Sequence, residues 1–232
     1  MKYFEEIIDN AICKYPSLSA TKTERGVSLR GILVLNAEYN DIPLYDEYEI
    51  EIDVPKEFPK LLPTVKEISN LIPTDFNHFL TDGSFCLAAQ CELIDFAVTD
   101  KTLTGYIDKY VMNYLYTASY FSRYGEFPFG ERSHGVDGIK EAYSERYNCN
   151  QEAALIGLLC LLSGIKRYRG HDICTCGSGK RLRDCHGQLV LRDIQSDFYP
   201  YYRCDAYEII SAYIERRKGM VDKNGESGTS KK

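Results

Sequence analysis

Cys86 stands in Gly83-Ser84-Phe85-Cys86-Leu87, behind a glycine turn and downstream of a proline-spaced stretch running from Pro55 to Pro63. That punctuation places its thiol on irregular backbone instead of inside a regular element. A thiolate attacks acyl groups well and also leaves well, so a cysteine in such a loop suits nucleophilic acyl exchange. The plainer reading is a small hydrophobe between Phe85 and Leu87, because free cysteines are often buried. The flanking pattern favours the nucleophile. Cys91 lies five residues on without a glycine turn, and reads as structural.

A second set of reactive side chains follows in Cys174-Thr175-Cys176-Gly177-Ser178-Gly179-Lys180-Arg181-Leu182-Arg183-Asp184-Cys185-His186. Two cysteines one residue apart, a glycine hairpin and an adjacent Cys-His pair can close a tetrahedral site from Cys174, Cys176, Cys185 and His186. Thiolate and imidazole ligands select zinc by softness and disfavour calcium or magnesium, so structural zinc is the expected cofactor. Gly-Ser-Gly-Lys is too short for a phosphate-cradling loop. Six Lys or Arg (166, 167, 169, 180, 181 and 183) against Asp172 and Asp184 make this region locally basic. Such a surface fits nucleic acid, an acidic protein tail, or nothing, and protein docking is favoured over RNA.

Composition narrows the classes. With 232 residues, 44% hydrophobic and 27% charged, the chain has the length and make-up of a soluble globular protein with one good-sized domain and an appendage, or with two small domains. A net charge of −6 argues against binding nucleic acid through whole-surface electrostatics. The start, Met1-Lys2-Tyr3-Phe4-Glu5-Glu6, lacks the basic-then-apolar order of a signal peptide. The longest near-apolar run, Ala153 to Leu162, is half the roughly 20 residues a bilayer span needs, so no membrane partner is expected. Nine cysteines, an odd and clustered set, fit a reducing cytoplasm better than a disulfide framework.

The elements that must position these groups follow from periodicity. Phe4, Ile7, Ile8, Ala11 and Ile12 share one helical face, which predicts a helix over 2–14 ended near Pro16. Strands are expected at 18–23, 27–37, 47–54 and 64–69. In the third, Glu47, Glu49, Glu51 and Asp53 point one way and Tyr48, Ile50, Ile52 and Val54 the other. The acidic row is most simply a solvated face. Ile107, Val111, Tyr114, Leu115 and Ala118 return to helical spacing. Residues 120–147 read as an aromatic loop with a short helix, 151–165 as a buried helix, and 206–217 as an amphipathic helix. These give an α+β domain over 1–145, a helical region over 146–218 holding the knuckle at 171–190, and a disordered tail over 219–232.

The order helix, four antiparallel strands, cysteine loop, helices resembles that of ubiquitin-conjugating (UBC-fold) enzymes. Val54-Pro55-Lys56-Glu57-Phe58-Pro59-Lys60-Leu61-Leu62-Pro63 is similar to their FPxxYPxxPP segment, and Gly83-Ser84-Phe85-Cys86-Leu87 to their GxICL active-site segment. The resemblance covers about residues 1–145 and its specific motifs lie within 54–87. It implies a UBC-like fold and a transferase in which Cys86 accepts an acyl group as a thioester and passes it to an amine, usually a lysine. Where the family carries His-Pro-Asn, this chain has Phe76, Asn77 and His78, and the tryptophans common in the family are missing. His78 is therefore the candidate donor to the oxyanion, through a ring N–H; packing within the loop is its plainer role. His134, in Arg132-Ser133-His134-Gly135, is a candidate base or orienter for the acceptor amine, or a packing residue of the aromatic loop.

The spacing C-x-C-x8-C-H resembles the SEC-C motif, a zinc knuckle first named for the C-terminus of a secretion motor protein. UBC-like proteins joined to such a knuckle resemble those of bacterial anti-phage (CBASS) operons. There, the implied partner is a cGAS-like nucleotidyltransferase (CD-NTase) whose C-terminus plays the ubiquitin-like part. The reading from another class is a non-catalytic adaptor, with scaffold and knuckle used only to hold that partner. An RNA-binding protein using the basic knuckle is a weaker third, which the acidic remainder of the chain opposes.

Overall fold

In the computed structural model, residues 2–226 are described, with side chains through 218. They divide into two units, 2–88 with 92–131 and 89–91 with 132–226.

The first unit opens with helix α1 (Lys2–Lys14), whose apolar stripe buries Ile7, Ile8 and Ala11. Strands β1 (Leu18–Lys22), β2 (Gly26–Tyr39), β3 (Ile42–Pro55) and β4 (Thr64–Glu67) form an antiparallel meander in the order β1-β2-β3-β4. Its register pairs Leu29 with Ile52 and Ile50 with Glu67. The alternation read in β3 holds: Tyr48, Ile50, Ile52 and Val54 are buried, while Glu47, Glu49, Glu51 and Asp53 occupy the other face. β2 and β3 run longer than expected. Asn40 and Asp41 take positive φ (50° and 61°), the pattern of a two-residue hairpin turn whose twist suits strand pairing. The ladder thus extends unbroken from Gly26–Pro55 to Tyr39–Ile42. β4 is shorter than expected, because Asn70 at φ 56° turns the chain away from the sheet.

After the cysteine loop come α2 (Gln90–Thr99), α3 (Leu103–Tyr106), a π turn (Ile107–Val111) and α4 (Met112–Tyr124). Leu103, Ile107, Val111, Leu115 and Ala118 form one buried stripe and join Leu29, Leu33, Ile50 and Ile52 in a single core. The helix thus covers the apolar face of the sheet.

The second unit holds α5 (Gly135–Tyr147), α6 (Glu152–Leu162), a 3-10 turn (Leu182–Asp184), α7 (Gly187–Ile194) and α8 (Tyr199–Glu226). α6 buries Ala154, Leu155, Ile156, Leu158, Leu159, Leu161 and Leu162, which explains its near-continuous apolar run. The boundary falls at Glu131–Arg132, ahead of the expected 145. The reason lies in α5, whose buried residues are tied to α7 and α8. Tyr143 donates to Asp205 at 3.1 Å, and Arg146 makes a two-pronged ion pair with Asp193 at 3.0 and 2.8 Å. α8 also starts earlier and runs further than expected, through Glu226. The first part of the stretch expected to be a disordered tail is thus helical, and 227–232 lie outside the described residues. Among the described residues, no helix is long and apolar enough to cross a membrane.

Asp193 is almost wholly buried and also accepts from the Tyr147 hydroxyl at 2.9 Å. Removing one partner of a buried pair strands the other charge, at a typical cost of about 3–5 kcal/mol. Arg146→Ala is therefore expected to destabilise the protein by that amount in urea titration, whereas Arg192→Ala, whose side chain is exposed, leaves the midpoint nearly unchanged.

Candidate active-site cysteine and candidate metal centre

Cys86 lies on a small hairpin built from residues 78–86. Phe79 pairs with Phe85 across an antiparallel bridge. Leu80 N–H donates to the Ser84 carbonyl at 2.7 Å, and Cys86 N–H donates to the His78 carbonyl at 2.8 Å. Gly83 turns the chain at φ 78°, where a side chain would be strained. Asp82 completes the turn by accepting from Ser84 N–H (3.0 Å) and Ser84 Oγ–H (2.6 Å). Phe85 N–H reaches the Val65 carbonyl on β4 at 2.8 Å and anchors the loop to the sheet.

This register sets Cys86 directly opposite His78, and residues so opposed have Cβ atoms about 5 Å apart on one face of the ladder. Cys86 is exposed, yet enough protein surrounds its thiol for burial to push it above the ordinary thiol range. Such a group is mostly protonated at neutral pH.

His78 is half-buried, with its ring 5.1 Å from that of Phe76 and 5.2 Å from that of Phe127, and its Nε2 is 3.7 Å from Glu131 Oε1. Its ring thus packs between Phe76 and Phe127 and stands beside the cysteine backbone. His134 is exposed in the second unit, immediately ahead of α5. Cys91 is buried, in keeping with a structural thiol.

Three residues of this site escaped the sequence reading. Tyr114 donates from its hydroxyl to the His78 carbonyl at 2.8 Å. Phe127 and Glu131, from the aromatic loop, face His78. Tyr114 was legible only as one member of a helical stripe, since nothing in its spacing separates a core tyrosine from one that touches a functional loop.

The second site assembles the four expected ligands. Cys174 Sγ lies 3.4 Å from His186 Nδ1, Cys185 Sγ 3.2 Å from that same nitrogen, and Cys176 Sγ 3.6 Å from Cys185 Sγ. All four donor atoms fall within 4.8 Å of one another. Donor separations of about 3.5–3.8 Å follow from Zn–S near 2.3 Å and Zn–N near 2.0–2.1 Å in a tetrahedron, so the residues fit a bound metal ion. The Cys176 thiol is pulled down to about 6, chiefly by the Ser178 hydroxyl and backbone N–H. Burial instead pushes Cys174 up to about 11.

Local folding explains the convergence. Ile173 pairs with Arg181, and Cys174 N–H donates to the Lys180 carbonyl at 2.8 Å, so a narrow hairpin brings Cys174 and Cys176 towards the 3-10 turn. The 3-10 turn then presents Cys185, whose N–H donates to the Leu182 carbonyl at 3.0 Å. The hairpin docks on α6 through Thr175, which donates to the Ala154 carbonyl at 3.0 Å. Its methyl rests where any Cβ at Gly157 would sit, 2.6 Å away. Gly157 is thus required by close approach, which sequence alone did not reveal.

Comparison with known proteins bears on this second site. The SEC-C motif matches over residues 172–188. The chain is 32% identical over 65 residues to the protein translocase subunit SecA of Cupriavidus metallidurans. That stretch is 28% of this chain and 7% of the relative, so the chain spans only a small part of that protein's length. No solved structure matches the chain.

Proposed function

We propose that this protein is a ubiquitin-conjugating-like acyl transferase of UBC-like fold, in which Cys86 carries the C-terminus of a protein partner as a thioester and transfers it to an amine or lysine. The observation that carries this reading is an exposed cysteine at the end of a pinned hairpin, opposite a histidine, following a helix and a four-stranded meander. The Cys86 thiol lies above its ordinary range, and trans-acylation tolerates this. The partner's C-terminus must reach Cys86 already activated, as a thioester or acyl-adenylate. The Cys86 sulfur forms the new acyl bond as the donor's thiolate or AMP is displaced from the acyl carbon, and that leaving group takes up the thiol proton. The partner supported by the resemblance is a cGAS-like nucleotidyltransferase of bacterial anti-phage defence, acting in the cytoplasm. The knuckle holds one zinc ion in a structural role, since all four ligand positions are filled by protein and leave no open site for chemistry.

His78 is proposed to donate to the oxyanion. Replacing it by leucine should slow acyl transfer by about 10²–10³, as loss of one oxyanion donor does, while His78→Asn, which keeps an N–H donor, retains most of the rate. Equal losses in both variants, in step with lost thermal stability, would leave His78 a packing residue only. His134 is proposed as base or orienter for the acceptor amine.

A second reading rests on the matched SEC-C motif: a non-catalytic adaptor that binds and regulates the same partner and uses the knuckle for docking. Co-expression with a cGAS-like nucleotidyltransferase and an enzyme that activates its C-terminus separates the two on a non-reducing gel. The transferase gives a thiol-labile band that Cys86→Ala removes, whereas the adaptor co-purifies equally with either protein and forms no such band.

A further inference from the structure

Tyr114 is buried in α4 and touches both limbs of the Cys86 hairpin. Its ring stacks on Phe85, the neighbour of Cys86, with centroids 4.1 Å apart and planes 18° from parallel. It also meets Phe76 and Phe79 edge to face, at 5.4 and 6.3 Å. Its hydroxyl donates to the His78 carbonyl at 2.8 Å, the same oxygen that accepts from Cys86 N–H at 2.8 Å. One carbonyl therefore ties the tyrosine hydroxyl, the histidine and the cysteine backbone into a single node. Phe85 N–H holds the other side of the loop to β4. Packing alone calls for an aromatic ring here; the hydroxyl adds a directional bond that a phenylalanine would not make.

We infer that Tyr114 is a positioning residue for Cys86: its hydroxyl clamps the His78 carbonyl and fixes where the thiol stands. This inference rests on the proposed acyl-carrying role of Cys86 for its catalytic consequence, but the clamp itself is measurable without any partner. Tyr114→Phe keeps the ring stack and removes only the hydroxyl. Loosening the hairpin admits water to a thiol that is now partly enclosed, so Cys86 should react faster with a small alkylating agent. The same loosening should slow acyl transfer, because the nucleophile no longer holds one orientation.

The test is timed alkylation of the purified full chain with iodoacetamide at pH 7, with each cysteine followed by peptide mass spectrometry. For Tyr114→Phe the expected result is a several-fold faster reaction at Cys86. Cys13 and Cys204, exposed elsewhere, should keep their rates, and buried Cys91 and Cys149 should stay protected. General destabilisation would instead unmask Cys91 and Cys149 as well, and that outcome overturns the inference, as does an unchanged rate at Cys86. Tyr114→Leu, which loses ring and hydroxyl, should raise the Cys86 rate further. Acyl transfer measured alongside separates the two claims. If wild-type protein never forms an adduct yet Tyr114→Phe alters alkylation at Cys86 alone, the transferase reading fails and the clamp stands.

Discussion

Stripping the metal from the knuckle should open it. Four ligands converge from a hairpin and a 3-10 turn that bury little apolar surface of their own beyond Cys174 and Leu182. Metal binding in such small units is folding free energy, with apparent values of about 10–16 kcal/mol in isolated zinc-finger peptides. Without the ion, the three cysteine sulfurs and the imidazole lose the cation on which they converge, and the segment has few contacts to replace it. Lys180, Arg181 and Arg183 make the consequence measurable, because they are tryptic sites inside the ligand frame. Protein treated with a strong zinc chelator is expected to be cut there at least about tenfold faster, local opening being what proteases sample. Adding zinc back should restore protection. Cys185→Ser should behave like chelated protein, and Cys204→Ser, at an exposed position on α8, like wild type. Identical cleavage with and without metal, confirmed by elemental analysis, would remove the structural role assigned to it.

Replacing Cys86 by alanine is expected to reduce acyl transfer by at least about 10³, since the covalent route disappears instead of being weakened. Cys13→Ala is the control, because Cys13 is also an exposed free thiol but lies on α1. The substitution should leave folding intact: Cys86 is exposed, and its hairpin is held by the backbone bonds at His78, Leu80 and Phe85. Partner binding should survive as well. A protein that binds its partner normally but transfers nothing is the outcome that separates chemistry from docking. Equal transfer by both proteins would exclude Cys86 as the nucleophile.

How much of this could be read in advance varied with the kind of signal. α1 was bounded correctly because an apolar stripe and Pro16 define its face and its end. The four ligands of the knuckle were legible because metal coordination fixes residue type and spacing together. The β2–β3 ladder was underestimated because Asn40-Asp41, a turn signal in its own right, was not weighed against the polar residues around it. α2 and α7 went unread. Each is short, at ten and eight residues, and offers few turns over which a repeating apolar stripe can be read. The unit boundary at Glu131–Arg132 was missed because it depends on Tyr143 and Arg146 meeting partners in α8 and α7. Around Cys86 the nucleophile candidate was visible, but Tyr114, Phe127 and Glu131 were not. Their relevance comes from where α4 and the aromatic loop place them, which is a property of tertiary packing.

The central claim is that Cys86 carries an acyl group, and intact-mass spectrometry of the full chain tests it most directly. Wild type and Cys86→Ala would be co-expressed with the proposed nucleotidyltransferase partner and an enzyme that activates its C-terminus, purified without reductant, and weighed before and after thiol treatment. The account predicts a mass increment on wild type equal to a partner C-terminal acylation, mapping to Cys86, released by thiol and missing from Cys86→Ala. An adduct of the same mass on both proteins, or none on either while the partner co-purifies with each, would contradict it.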